Sequence, residues 1–168
     1  MIVKLTPENQ LLYNRLNASS VDIGFARYCA GMIQKRGWHL PPWTRRRTQY
    51  PQQSAFTLAL IVSYFRPFTR THGWPDLPSN LVSSAPADVA LHAKLKNLRN
   101  KVYAHSSGEY HSAQPWDSGE FQTIIQHAPA FMLDAGDVDH FLAMTLELQR
   151  AITGRMKEIV EATGAKPY

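Results

Sequence analysis

Apolar positions recur three and four residues apart through most of this chain, which predicts helices rather than strands. Thr6-Pro7-Glu8 opens the first of them with a capping hydroxyl, a proline in the first turn and an early carboxylate. Leu11, Leu12 and Leu16 follow as a short apolar face, and Ser19 or Ser20 caps a second helix. In that helix Val21, Phe25, Tyr28 and Met32 repeat at helical spacing until Gly37. Residues 38–51 break the pattern with Pro41-Pro42 and Arg45-Arg46-Arg47 and read as a basic loop. From Gln52 to Phe65 the chain is apolar nearly all round, the mark of a central buried helix, and Arg66-Pro67 ends or kinks it.

A second loop, rich in proline, serine and glycine, runs over residues 69–85. Pro86 then opens a helix with Leu91, Leu95, Leu98 and Val102 as its buried stripe. Residues 106–117 read as loop and 121–132 have room for an extended stretch. Asp134 or Asp137 starts a long closing helix through Phe141, Leu148, Ile152 and Ile159, ending near Gly164. The expectation is an all-α protein: a four- to five-helix bundle with two long loops. No repeat, low-complexity tract or linker divides residues 1–168, so a single domain is expected.

Composition narrows this picture. Apolar residues make up 44% and charged residues 18% of 168, a globular balance with enough chain for a hydrophobic core. The longest apolar run, Ala55 to Phe65, is too short to span a bilayer. Met1-Ile2-Val3-Lys4 runs into a polar segment without a signal peptide, so the reading is cytoplasmic, with no membrane partner. A lone cysteine, Cys29, excludes an internal disulfide. The net charge of +5 and a pI near 9.5 favour anionic partners such as nucleic acid.

Candidate chemistry concentrates in Leu98-Arg99-Asn100-Lys101-Val102-Tyr103-Ala104-His105. The spacing that buries the leucines places His92, Lys96, Arg99 and Tyr103 on another stripe, rich in groups that contact phosphate or base. The same stripe also fits an ordinary solvated face. On a straight helix Arg99 and His105 point roughly 120° apart, a gap that a long arginine or a loosened final turn closes. A histidine at a helix end suits proton transfer near neutral pH, and equally suits capping the last carbonyls.

Other constellations carry less. Arg45, Arg46 and Arg47, with Lys35, Arg36, Trp38 and Trp43 nearby, form either an RNA-binding patch or a solvated loop whose indoles pack on the core. The seven histidines lack HExxH spacing and an acidic partner set, so no metal is expected. Asp134, Asp137 and Asp139 read as negative charge at a helix start. No Gly-x-Ser-x-Gly elbow and no phosphate-cradling glycine loop is present, and no cofactor is expected.

Arg99-Asn100 followed by His105, with five residues between arginine and histidine, resembles the signature of the HEPN superfamily. Ser63-Tyr64-Phe65-Arg66-Pro67-Phe68-Thr69 is similar to an aromatic-arginine segment of abortive-infection-like members. The resemblance covers Gln52 to His105 by motif and the remaining helices by pattern. It implies a HEPN-like bundle that pairs with a second copy through its motif-bearing helices, giving a homodimer. In catalytic members arginine and histidine from both copies cut RNA without metal. Carried over, His105 moves the proton of the ribose 2′-hydroxyl or of the leaving oxygen. Arg99 stabilises charge on the phosphate, and Asn100 orients substrate or histidine. Arg66, Lys96 and Tyr103 would be further RNA contacts.

The function implied is an endoribonuclease of defence or toxin type, with an antitoxin or other protein partner. The alternative is a non-catalytic HEPN-like interaction or RNA-binding module. Ser107 stands where toxin members paired with a nucleotidyltransferase antitoxin often carry tyrosine, a departure that speaks against that subgroup.

Overall fold

A computed structural model describes residues 3–39, 50–100, 112–127 and 133–164. Among them are four α-helices: α1 (Pro7–Arg36), α2 (Tyr50–Phe65), α3 (Pro86–Leu98) and α4 (Ala135–Glu161). Two short 3₁₀ turns, Arg66–Phe68 and Ser79–Leu81, lie between α2 and α3. An antiparallel hairpin of β1 (Ser112–Asp117) and β2 (Gln122–His127) lies between α3 and α4.

The expected pair of N-terminal helices is one helix of 30 residues. Its start follows the sequence signal, with the Thr6 hydroxyl accepting from the Asn9 N–H and Pro7 in the first turn. Ser19 does not cap a new helix; it lies buried on the inner face, in line with Leu16, Ile23, Ala26, Ala30 and Ile33. Serine inside a helix costs about 0.5 kcal/mol relative to alanine. Each large side chain kept on the buried face contributes about 1.5–3 kcal/mol, so continuation outweighs a break. Gly37 ends α1 in the left-handed region at φ 65°, and the Trp38 N–H reaches back to the Ile33 carbonyl at 2.9 Å.

The core is formed where α1 packs on α2 and α4, with α3 against α4. Leu60, Ile61 and Tyr64 of α2 meet Phe141, Leu148 and Ile152 of α4 and the inner face of α1 in one buried cluster. From α3 only Leu91 and Leu95 are fully inside. A hydrogen bond between Asp88 and His140 at 2.5 Å and an ion pair of Lys94 with Asp137 add to its hold on α4. Burial alone would lower the Lys94 ammonium, but Asp137 and Asp134 hold it above its ordinary value.

Two expectations need correction. The central helix is not buried all round, because Leu58 and Val62 remain on its outer surface. Val21, Phe25 and Tyr28 of α1, an apolar repeat by periodicity, are likewise exposed; α1 turns the face containing Ile23, Ala26 and Ala30 inward instead. The stretch before Asp117 is not loop throughout. Residues 112–117 pair with 122–127, with Pro115 opposite Ile124. Proline is tolerated there because a two-stranded sheet leaves each strand an edge.

The Asp117 carboxylate accepts from the Gly119 N–H at 2.7 Å, and Gly119 takes φ 81°, which closes the turn. Asp134 caps α4 through the Asp137 N–H at 2.8 Å, consistent with the expected helix start. No helix among the described residues is long and apolar enough to cross a membrane.

Candidate functional site

Phe65, the last residue of α2, is the centre of the candidate site. Its buried ring sits beside Tyr64, Phe68 and the His92 imidazole of α3, with centroids 5.0–6.2 Å apart. The Arg99 guanidinium lies over this ring, its Cζ 5.6 Å from the centroid. Such a contact holds a cation without neutralising it. Among the described residues no carboxylate pairs with Arg99.

The backbone changes character at this point. Arg99 keeps right-handed helical dihedrals, φ −54° and ψ −51°, and its N–H reaches the carbonyls of Leu95 and Lys96, at the start of a wider π-helical turn over residues 99 and 100. Asn100 and Lys96 are exposed. Tyr103, His105, Arg45, Arg46 and Arg47 lie outside the described residues, as does Trp43.

Arg66 begins the 3₁₀ turn directly after Phe65. Arg66 already has a partner: its Nη1 donates to Asp22 Oδ1 of α1 at 3.0 Å. With 63% of its side chain exposed, this is a surface ion pair worth at most about 1 kcal/mol, which a stronger anion would displace. The turn itself is fixed by Arg15. That side chain is buried in α1, donates through Nη2 to the carbonyls of Pro67 at 2.7 Å and Thr69 at 3.1 Å, and lies 5.8 Å from the Trp74 ring.

His92 departs from the polar stripe on which its spacing placed it. The Tyr64 hydroxyl lies 2.9 Å from its Nδ1, and three aromatic rings surround it. Burial, aided by the charge of Lys96, lowers the imidazole below its ordinary value, so His92 is neutral at pH 7. Burial and the Asp88 carboxylate push the Tyr64 phenol up, so it keeps its proton. The pair orders the site but is poorly suited to accept a proton during turnover.

Trp38 likewise is no stacking platform: its indole is buried against Phe56 at 5.0 Å. Cys29 is buried, and burial raises its thiol.

Tyr64, Arg15 and Asp22 were not read from the sequence as parts of this corner. Their partners lie 28, 52 and 44 residues away, and no local pattern encodes such contacts. The proline after Arg66 and the aromatic run around it were the visible signal. No protein-family model matches the chain, and comparison with curated proteins and with solved structures finds no match.

Proposed function

We propose that this chain is a HEPN-like RNA-binding protein that acts as a homodimer and cuts RNA without metal, in a defence or toxin role. The observation that carries the reading is Arg99, held on an aromatic face with no carboxylate partner among the described residues. An arginine in that state keeps its charge and its planar donor fork for a phosphate. Arg66, exposed and paired with Asp22, follows directly on the Phe65 that Arg99 rests on, and Asn100 and Lys96 are exposed on the helix end that carries Arg99.

In the proposed reaction His105 takes the proton of a ribose 2′-hydroxyl, and the freed oxygen attacks the adjacent phosphorus. The bond to the 5′-oxygen breaks, that oxygen gains a proton, and the products are a 2′,3′-cyclic phosphate and a 5′-hydroxyl end. Arg99 stabilises the charge that builds on the phosphate oxygens.

Separate from the motif-bearing helix α3, α1 and α2 offer apolar surface for association. Val21, Phe25 and Tyr28 of α1 and Leu58 and Val62 of α2 are exposed, and the Asp22–Arg66 ion pair joins the same two helices. Exposed large apolar side chains of this kind suit association. The same stripe equally suits the non-catalytic reading, in which the face receives a different protein.

The deciding experiment is RNA cleavage by purified protein in EDTA beside a His105→Ala variant shown to be folded. Fragments ending in 2′,3′-cyclic phosphate, lost in the variant, support the enzyme. Binding without cleavage by either protein favours the non-catalytic module, and neither binding nor cleavage removes the RNA reading. Sedimentation of a Phe25→Asp, Val62→Asp double variant tests the pairing face, with a dimer that survives it placing the interface elsewhere.

A further inference from the structure

A cavity of about 660 Å³ opens between the end of α2, the loop over residues 70–83, the first half of α3 and the middle of α4. Its volume matches that of small-molecule sites. Tyr64, Phe68 and His92 present aromatic surface to it, and Leu81, Met144 and Leu148 line it with aliphatic surface. Such a space takes a compact apolar body; the polar lining decides what that body carries.

Three carboxylates line the cavity, those of Asp76, Asp88 and Glu147, against one basic residue, Arg70. Arg70 is 91% exposed and turned to Asp76 at 3.4 Å, while Glu147 is paired with exposed Arg150 of its own helix. Hydrated pairs of that kind yield readily to a better-placed cation. Asp88 is the least exposed of the three, with Ser83 and His140 as hydrogen-bond partners. His92 adds no positive charge at neutral pH. In a chain of net charge +5 this corner is locally acidic, the reverse of what a phosphate requires.

We propose that the cavity binds a small organic cation, an amine on an aromatic or branched apolar body, with its ammonium toward Asp88 and its body against Tyr64 and Phe68. Aromatic faces and carboxylates both favour the same charge, the former through their negative quadrupole. The proposal is independent of RNA cleavage: neither Arg99 nor the Phe65 ring it rests on lines this cavity.

Calorimetric titration of the full chain with tryptamine, beside indole-3-propionate of nearly the same shape and opposite charge, tests it. Tryptamine is expected to bind and indole-3-propionate to bind at least tenfold more weakly. Ala151→Phe, which fills the cavity from α4, should abolish tryptamine binding. Asp88→Asn should weaken it about tenfold, the scale of one lost charge-assisted contact. Glu147→Gln, at an exposed position that does not endanger folding, should weaken it several-fold. Equal binding of the two indoles, no binding of tryptamine at millimolar concentration, or undiminished binding by folded Ala151→Phe would each overturn the proposal.

Discussion

Arg15 and Arg99 both rest on an aromatic ring, 5.8 Å from Trp74 and 5.6 Å from Phe65, yet they stand at opposite ends of what an arginine does in a protein. Arg15 is buried, and one of its nitrogens donates to the carbonyls that close the 3₁₀ turn after α2. Its charge is used to hold backbone. Arg99 is half-exposed at a helix end, with an aromatic face beneath it. Among the described residues no carboxylate takes up its charge. The contrast teaches that net charge and motif spacing do not identify a functional arginine; the partners its donors already have do. Arg66 falls between the two, exposed but paired with Asp22.

The largest effect expected is structural. Arg15→Met leaves the buried Pro67 carbonyl without its Arg15 donor and the Thr69 carbonyl with only the Thr71 hydroxyl, and should cost about 3 kcal/mol in urea unfolding. A loss below about 1 kcal/mol would mean that the turn holds itself and that the comparison is misdrawn.

Next in size is the Tyr64–His92 contact. Tyr64→Phe should cost about 1 kcal/mol, the net value of one buried hydrogen bond. The same corner carries a pH signature. Folded His92 is held below its ordinary value of 6.5, so the unfolded chain binds a proton that the folded chain refuses. Stability from this residue is complete above that value, falls as pH drops through the window below it, and levels off under the lowered folded value. Replacing the histidine, as His92→Gln, should flatten the decline below about pH 6.5 relative to the parent. Parallel curves from urea midpoints would show that His92 titrates as it does in the unfolded chain.

Smaller still is the stability of the site arginines. Arg99→Gln removes one half-exposed cation–π contact and should cost about 0.5–1 kcal/mol. Asp22→Asn frees Arg66 from a surface pair and should shift stability by only a few tenths of a kcal/mol. If Arg66 contacts phosphate, that same change should tighten RNA binding several-fold at low salt, because a competing carboxylate is gone. Unchanged affinity would remove Arg66 from the site.

Much of the helical frame could be read from local signals. Thr6-Pro7, Gly37, Arg66-Pro67, Pro86 and Asp134 mark boundaries through the backbone preferences of those residues, and each lies at an element end. The N-terminal break at Ser19 was misplaced because a capping residue is also tolerated inside a helix when its neighbours are buried. The first strand was missed because Gln114 and Pro115 lack strand propensity, and its partner lies across the turn. Of the site, the residue types around Phe65 were legible while their contacts were not. His92 looks surface-directed by spacing, but Tyr64 captures it from another helix. Arg15 carries no mark at all to distinguish it from a solvated arginine.

The central claim is that Arg99 holds unspent charge for a phosphate, and fluorescence anisotropy of a single-stranded RNA with Arg99→Gln tests it most directly. Urea unfolding should first show the variant folded. The account then predicts at least a tenfold loss of affinity, with a shallower salt dependence because one phosphate contact fewer displaces counterions. A folded Arg99→Gln that binds RNA with the parent's affinity and salt slope would contradict it.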